Sequence, residues 1–189
     1  MKISLVEQFL FIKQLPIKLT TLNDDKLKYN ALVNYWGNYR QSSDERTDLY
    51  DYCNLTTDKQ IKWLYDYIHD VVHVELGLQI LAPKYRCIVQ ERDEKINFHK
   101  HLDEYNLEDS PHFSAVYTPH DSDEPVDLVF KYSSGKKKEV HRHVPLLKNQ
   151  VVFFNSELVH CYTRNKNKQP QVSICFTFKK QEPVPMEPV

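Results

Sequence analysis

The chain has 189 residues, of which 41% are hydrophobic and 27% charged, enough for one globular domain with a substantial core. Its formal net charge of −1 argues against a nucleic-acid backbone or an anionic membrane as the main partner, because both select for basic surfaces. No apolar run approaches the roughly 20 residues that span a bilayer, and Glu7, Gln8 and Lys13 interrupt the N-terminal stretch that a secretory signal would need. Cys53, Cys87, Cys161 and Cys175 form no CxxC pair, so a soluble, cytoplasmic protein with free thiols is expected.

Taken in chain order, Ile3 to Leu15 reads as an extended, strand-like lead-in. Asn23 can cap a helix running to about Trp36, with Leu27, Ala31, Leu32, Tyr35 and Trp36 on one face. Gly37 to Leu55 is polar and acidic and reads as a loop. Thr57 followed by Gln60 resembles a capping box. Ile61, Leu64, Tyr65, Ile68, Val71 and Val72 then recur at helical spacing from Asp58 to about Leu76, and Gly77 stops the helix. His69 and His73 stand at i and i+4 on it. That spacing can bind zinc, but Asp70 replaces the glutamate of HExxH, and the pair reads as exposed or capped histidines.

After Pro83 the period changes. Eight short runs rich in aromatic and β-branched residues follow: Tyr85–Gln90, Ile96–His99, His112–Thr118, Val126–Tyr132, Glu139–Val144, Gln150–Phe154, Leu158–Tyr162 and Gln171–Phe178. Eight strands at short spacing predict a sandwich, barrel or jelly roll. Lys136, Lys137 and Lys138 beside Ser133, Ser134 and Gly135 read as a solvated turn. Gln181 to Val189 contains three prolines and reads as a loosely held tail. The expected organisation is one domain over residues 1–180, with a helical first part to residue 83, a β core over 84–180, and the tail.

His101 and Asp103 flank Leu102 just past the second strand. Residues two apart in an extended segment point the same way, so both can aim at one point, and His160 can reach it from the seventh strand. Two imidazoles and a carboxylate on one face of an ion leave three positions open, which is the donor set of non-haem Fe(II) oxygenases. Other histidines compete. His99 is also two residues from His101, and His141 and His143 share a strand face. His112 and His120 flank the third strand. Strand alternation points Cys161 away from His160.

The order of these features carries a resemblance. Asn97-Phe98-His99-Lys100-His101-Leu102-Asp103-Glu104-Tyr105 is followed by the strand Phe113-Ser114-Ala115-Val116-Tyr117, by Glu124-Pro125-Val126-Asp127, and by Pro145-Leu146-Leu147-Lys148-Asn149-Gln150-Val151-Val152-Phe153-Phe154 leading to His160. Over residues 84 to 179 this resembles the 2-oxoglutarate/Fe(II)-dependent dioxygenases, especially their prolyl-hydroxylase-like branch. Asn149 stands where that family often has Gly, in keeping with a left-handed turn.

The resemblance implies a mostly β fold, a double-stranded β-helix with N-terminal helices packed on one sheet. It implies Fe(II) held by His101, Asp103 and His160, with 2-oxoglutarate as co-substrate and O₂ used to hydroxylate a C–H bond of a protein side chain or a small molecule. It places the co-substrate near Tyr117, Gln171 and Ser173. The family's carboxylate-binding Arg falls on Gln171, a neutral amide, which leaves three outcomes: a cation from another strand substitutes (Arg86, Arg142, Lys131 or Arg164, with Arg86 favoured because its strand lies beside the site), a different oxo-acid or a weaker co-substrate binds, or the protein does not turn over. The alternative is a non-catalytic or cupin-like metal-binding module on the same scaffold.

Overall fold

A computed structural model describes residues 10–15, 25, 28–29, 32, 59–77, 79–80, 84–102, 110–133 and 139–180. Nine strands and one complete helix are described. They are β1 (Leu10–Gln14), α1 (Lys59–Leu76), β2 (Lys84–Gln90), β3 (Ile96–His99), β4 (Phe113–Tyr117), β5 (Asp127–Ser133), β6 (Glu139–Pro145), β7 (Gln150–Asn155), β8 (Val159–Tyr162) and β9 (Gln171–Phe178). All eight strands expected after Pro83 are present within one or two residues. Of the first expected helix, Asp25, Lys28, Tyr29 and Leu32 are described, and each is helical. The loop over 37–55, the lysine turn over 136–138, the tail over 181–189 and Asp103 lie outside the described residues.

The strands form two antiparallel sheets, one ordered β1-β7-β4-β9-β2 and the other β3-β8-β5-β6. From β2 onward the chain passes from one sheet to the other at each step except β5–β6, a hairpin within the four-stranded sheet. Strands wound in this way make a double-stranded β-helix, a jelly roll. No described helix is long and apolar enough to cross a membrane.

The five-stranded sheet is apolar on both faces. Outward, Phe113, Ala115, Tyr117, Val151, Phe153, Val172, Ile174, Phe176 and Phe178 pack with Ile61, Leu64, Ile68 and Val72, the buried stripe of α1. Inward, Val116, Val152, Phe154 and Cys175 meet Leu128, Phe130, Val144 and Tyr162 of the other sheet. The alternation of β9 is therefore a sorting of residues, with even positions under the helix and odd positions between the sheets. Gly77 ends α1 at φ 63°, and its N–H donates to the carbonyl of His73 at 2.9 Å. Asn149 takes φ 62° ahead of β7, the left-handed turn expected there. Lys13 pairs with Glu75, and the Tyr67 hydroxyl donates to the carbonyl of Gln14 at 3.0 Å, tying β1 to the helix.

Burial of this stripe predicts that the amides of Leu64, Tyr65 and Ile68 exchange slowly, and that Leu64→Ala costs about 2–5 kcal/mol. Hydrogen exchange and denaturant melts test both. Rapid exchange at those amides would detach α1 from the core.

Candidate metal centre

Three imidazoles converge between the sheets at the mouth of the β-helix. Each of His99, His101 and His160 offers one ring nitrogen, and these nitrogens lie within 4.8 Å of one another. The ring centres of His99 and His101 stand 4.4 and 4.6 Å from that of His160.

His160 comes from β8, where Tyr162 and His160 face inward and Cys161 faces out, as alternation requires. His101 follows β3, and its N–H donates to the carbonyl of Ser156 at 2.9 Å. His99 is the unexpected member. Regular alternation places it one strand step further out from the His101–His160 pair. In the ladder, however, Ile96 faces Tyr162 and His99 faces His160, so three steps along β3 match two along β8. The extra residue is a β-bulge, which flips the parity of the strand. Ile96 and His99 both turn inward, and Asn97 and Phe98 are the exposed pair, Phe98 at 45%.

Hydrogen bonds fix how the rings present themselves. Nδ1 of His99 donates to the carbonyl of Asn97 at 2.9 Å, and Nδ1 of His160 donates to the carbonyl of Leu158 at 2.7 Å. A carbonyl can only accept, so in the neutral rings the proton is on Nδ1 and the lone pair is on Nε2. Nδ1 of His101 meets the Ser114 hydroxyl at 2.7 Å, which in turn meets Ser156 at 2.8 Å. Nε2 of His101 and Nε2 of His160 are buried and have no hydrogen-bond partner among the described residues. A buried ring nitrogen without a partner is costly, and two side by side are what a cation would satisfy, with the Ser114 hydroxyl free to accept the Nδ1 proton of His101. The donor set fits a divalent transition ion, for which imidazole is a suitable ligand.

The rings are held neutral. Burial depresses the His101 pKa well below its usual 6.5, and the neighbouring His160, Arg86 and His99 push the same way. His160 is lowered to about 3, by burial and then by His99 and Arg86, against the pull of the Leu158 carbonyl. His99 is lowered by burial, with a smaller push from Arg86.

Arg86 faces the same interior. It is opposite Cys175 in the β2–β9 ladder, its guanidinium reaches that thiol, and all three histidines feel its charge. The other candidate cations lie elsewhere. Lys131 pairs with Glu139 at 2.7 Å on the outer face, and Arg142 and Arg164 are exposed.

The remaining sequence candidates make other contacts. Tyr117 packs under α1, because odd-numbered positions of β4 face the helix. Ser173 is buried beside Thr118 at 3.5 Å. Gln171 has the inward parity expected of it but stands opposite Gln90, four residues from the Cys175–Arg86 pair. At ~3.3 Å per residue that is about 13 Å further along the strand. Its amide, 2% exposed, lines a cleft of about 610 Å³ with Lys28, His120, Asp121 and Lys168. Burial and Lys28 lower the His120 pKa to about 4, although the nearby Gln171 amide and Asp121 oppose the shift. His141 and His143 are exposed on β6 and bonded to Glu139 and Asp127 at 2.8 and 3.0 Å. His69 and His73 lie on α1, the far side of the five-stranded sheet. Ser114 and Ser156, which orient His101, were not singled out in the sequence, where a serine in a strand carries no distinguishing signal.

No protein-family model matches the chain, and no curated protein sequence does. Solved structures do match. The chain is similar to a prolyl-4-hydroxylase of Pseudomonas putida, with TM-score 0.59 and 15% identity over 93% of this chain and 90% of that one. It is similar to SnoK, a non-haem alpha-ketoglutarate-dependent carbocyclase of nogalamycin biosynthesis, with TM-score 0.61 and 12% identity over 91% and 79%. It is also similar to a prolyl hydroxylase of Trichoplax adhaerens solved with a hypoxia-inducible-factor peptide, with TM-score 0.58 and 12% identity over 90% and 83%. At these identities the shared property is the fold.

The depressed imidazoles give the metal-free protein a defined pH response. The unfolded chain takes up protons at these histidines near pH 6.5, and the folded chain takes one up at His160 only near 3. Between those values the unfolded state binds more protons, so stability falls as pH falls. Thermal melts of metal-free protein should show Tm declining from pH 7 toward 4. His160→Phe, set among Phe130, Phe154 and Tyr162, should flatten the decline. A Tm independent of pH over that range contradicts neutral, buried imidazoles.

Proposed function

We propose that the protein is an Fe(II)-dependent oxygenase that uses 2-oxoglutarate as co-substrate and hydroxylates a protein side chain or a small molecule. The observation that carries this reading is the pair of buried, partnerless Nε2 atoms of His101 and His160, directed to one point at the mouth of a double-stranded β-helix. Asp103, two residues past His101, is proposed as the carboxylate ligand. The solved structures with this fold include oxygenases for peptides and for small molecules, and both substrate classes fit the reading.

Bound iron and 2-oxoglutarate together supply the oxidising power, with O₂ as oxidant and decarboxylation of the oxo-acid as the second half of the reaction. The protein's own residues position and shield. The Nδ1 bonds to Asn97, Ser114 and Leu158 lock the rings so that Nε2 faces the ion, and such outer bonds raise ligand basicity. Phe130, Phe154 and Tyr162 wall the histidines on their inner side and keep water out. Arg86 is proposed to receive the far carboxylate of 2-oxoglutarate, since a planar guanidinium matches a carboxylate in charge and shape. Gln171, about 13 Å further along its strand, does not share that task.

Two measurements test this. Iron titration of Asp103→Ala should show loss of tight binding, and wild-type affinity in that variant would remove Asp103 from the centre. Calorimetry of Mn(II)-loaded protein should give micromolar binding of 2-oxoglutarate. Arg86→Ala should weaken it at least about tenfold, the scale of a lost charged hydrogen bond of about 1.5–3 kcal/mol. Metal binding without 2-oxoglutarate binding at millimolar concentration would turn the assignment to a metal-binding module.

A further inference from the structure

Beyond His101 and His160, a third imidazole points at the same position, and nothing in the HxD…H pattern calls for it. We propose that His99 is a metal ligand, so that the centre of this chain is built on three imidazoles. The inference rests on the metal-centre reading above and adds a donor to it.

Three independent features place His99 there. The first is register. The bulge between Ile96 and His99 sets His99 directly opposite His160 across the β3–β8 ladder. A bulge leaves one residue unpaired and locally disrupts the ladder, and such features commonly re-aim a side chain at a site. Here the residue re-aimed is a histidine, and without the bulge its ring would take the outward parity of Asn97.

The second is distance. The ring centre of His99 is 4.4 Å from that of His160 and 5.4 Å from that of His101, and the three donor nitrogens fall within 4.8 Å of one another. Nitrogens that share an ion at ~2.1 Å each lie roughly 3 Å apart when adjacent. Small rotations about the side-chain bonds close that difference. A histidine placed only to line a substrate path has no need to converge with two others to this degree.

The third is tautomer. The Nδ1–H of His99 is committed to the carbonyl of Asn97 at 2.9 Å, which puts the lone pair of the neutral ring on Nε2, the same tautomer that the Leu158 carbonyl imposes on His160. Metal-bound histidines almost always donate their second nitrogen in this way. Three imidazole nitrogens on one side of the site would hold a divalent transition ion and leave its other side to incoming ligands. The inner walls of the site are the aromatic rings of Phe130, Phe154 and Tyr162, while His99, half-buried beside the exposed Phe98, forms its rim.

The test counts nitrogens and does not need turnover. The wild-type protein is loaded with one equivalent of Cu(II), and the coordinated imidazoles are counted by pulsed electron paramagnetic resonance. Co(II) affinity is measured in parallel by its visible absorption. Three imidazoles are expected in the wild type and two in His99→Gln, with Co(II) affinity in that variant down at least about tenfold. Two imidazoles in the wild type, with His101→Gln losing one and His99→Gln losing none, would overturn the role of His99 while leaving the metal centre itself standing. Failure of the wild-type protein to take up one equivalent of either ion would overturn both. Because the wild-type count decides by itself, poor folding of a variant does not leave the question open.

Discussion

The centre depends on a sheet that is buried on both sides. β4, β7 and β9 pack outward on α1 and inward on the second sheet, so almost every residue in them is enclosed. A strand in that position cannot slip by one residue without exchanging the side chains packed under the helix for those packed between the sheets. Ser114 is therefore held at a fixed depth, and with it the Nδ1 of His101. The facing sheet is the looser partner: β3 has four residues and a bulge, and β8 has four. One ring of the centre is thus anchored on a rigid wall, and the other two are presented from short strands at the mouth.

Much of this architecture was legible because it rests on composition and parity. Alternating aromatic and β-branched runs separated by turn residues mark strands reliably when one or both faces are buried, and the eight runs after Pro83 follow that rule. Asn149 was legible because few residues tolerate a positive φ. The stripe of α1 was legible because four of its residues recur at helical spacing and all four are enclosed.

What sequence leaves open shares one cause, which is that parity is local whereas position is global. Gln171 has the inward parity expected of it, and only the register with β2 places it four residues from the Cys175–Arg86 pair. Tyr117 falls on the helix side of its strand. His99 is the sharpest case. Alternation puts it on the face of His101 but one strand step further out, and a bulge, which changes no residue type, sets it directly opposite His160. The pairing with β8 decides it, and that pairing joins residues about sixty apart in the chain.

Charge gives the arrangement its remaining logic. Three imidazoles in an apolar interior beside a guanidinium cannot take up protons at neutral pH, since burial and Arg86 both oppose it. They stay available as neutral donors, as metal binding requires. A divalent ion seated among them and Arg86 together bring three positive charges into a low-dielectric space. Uncompensated, that would be prohibitive. In the proposed function, one carboxylate from Asp103 and the two of 2-oxoglutarate would bring three compensating negative charges, and the co-substrate would then be part of what makes the loaded centre electrostatically tolerable. A cation on β2 at the depth of Cys175, close to the ion, serves that balance better than one at the depth of Gln171, because the attraction between buried charges weakens with separation and with access to water.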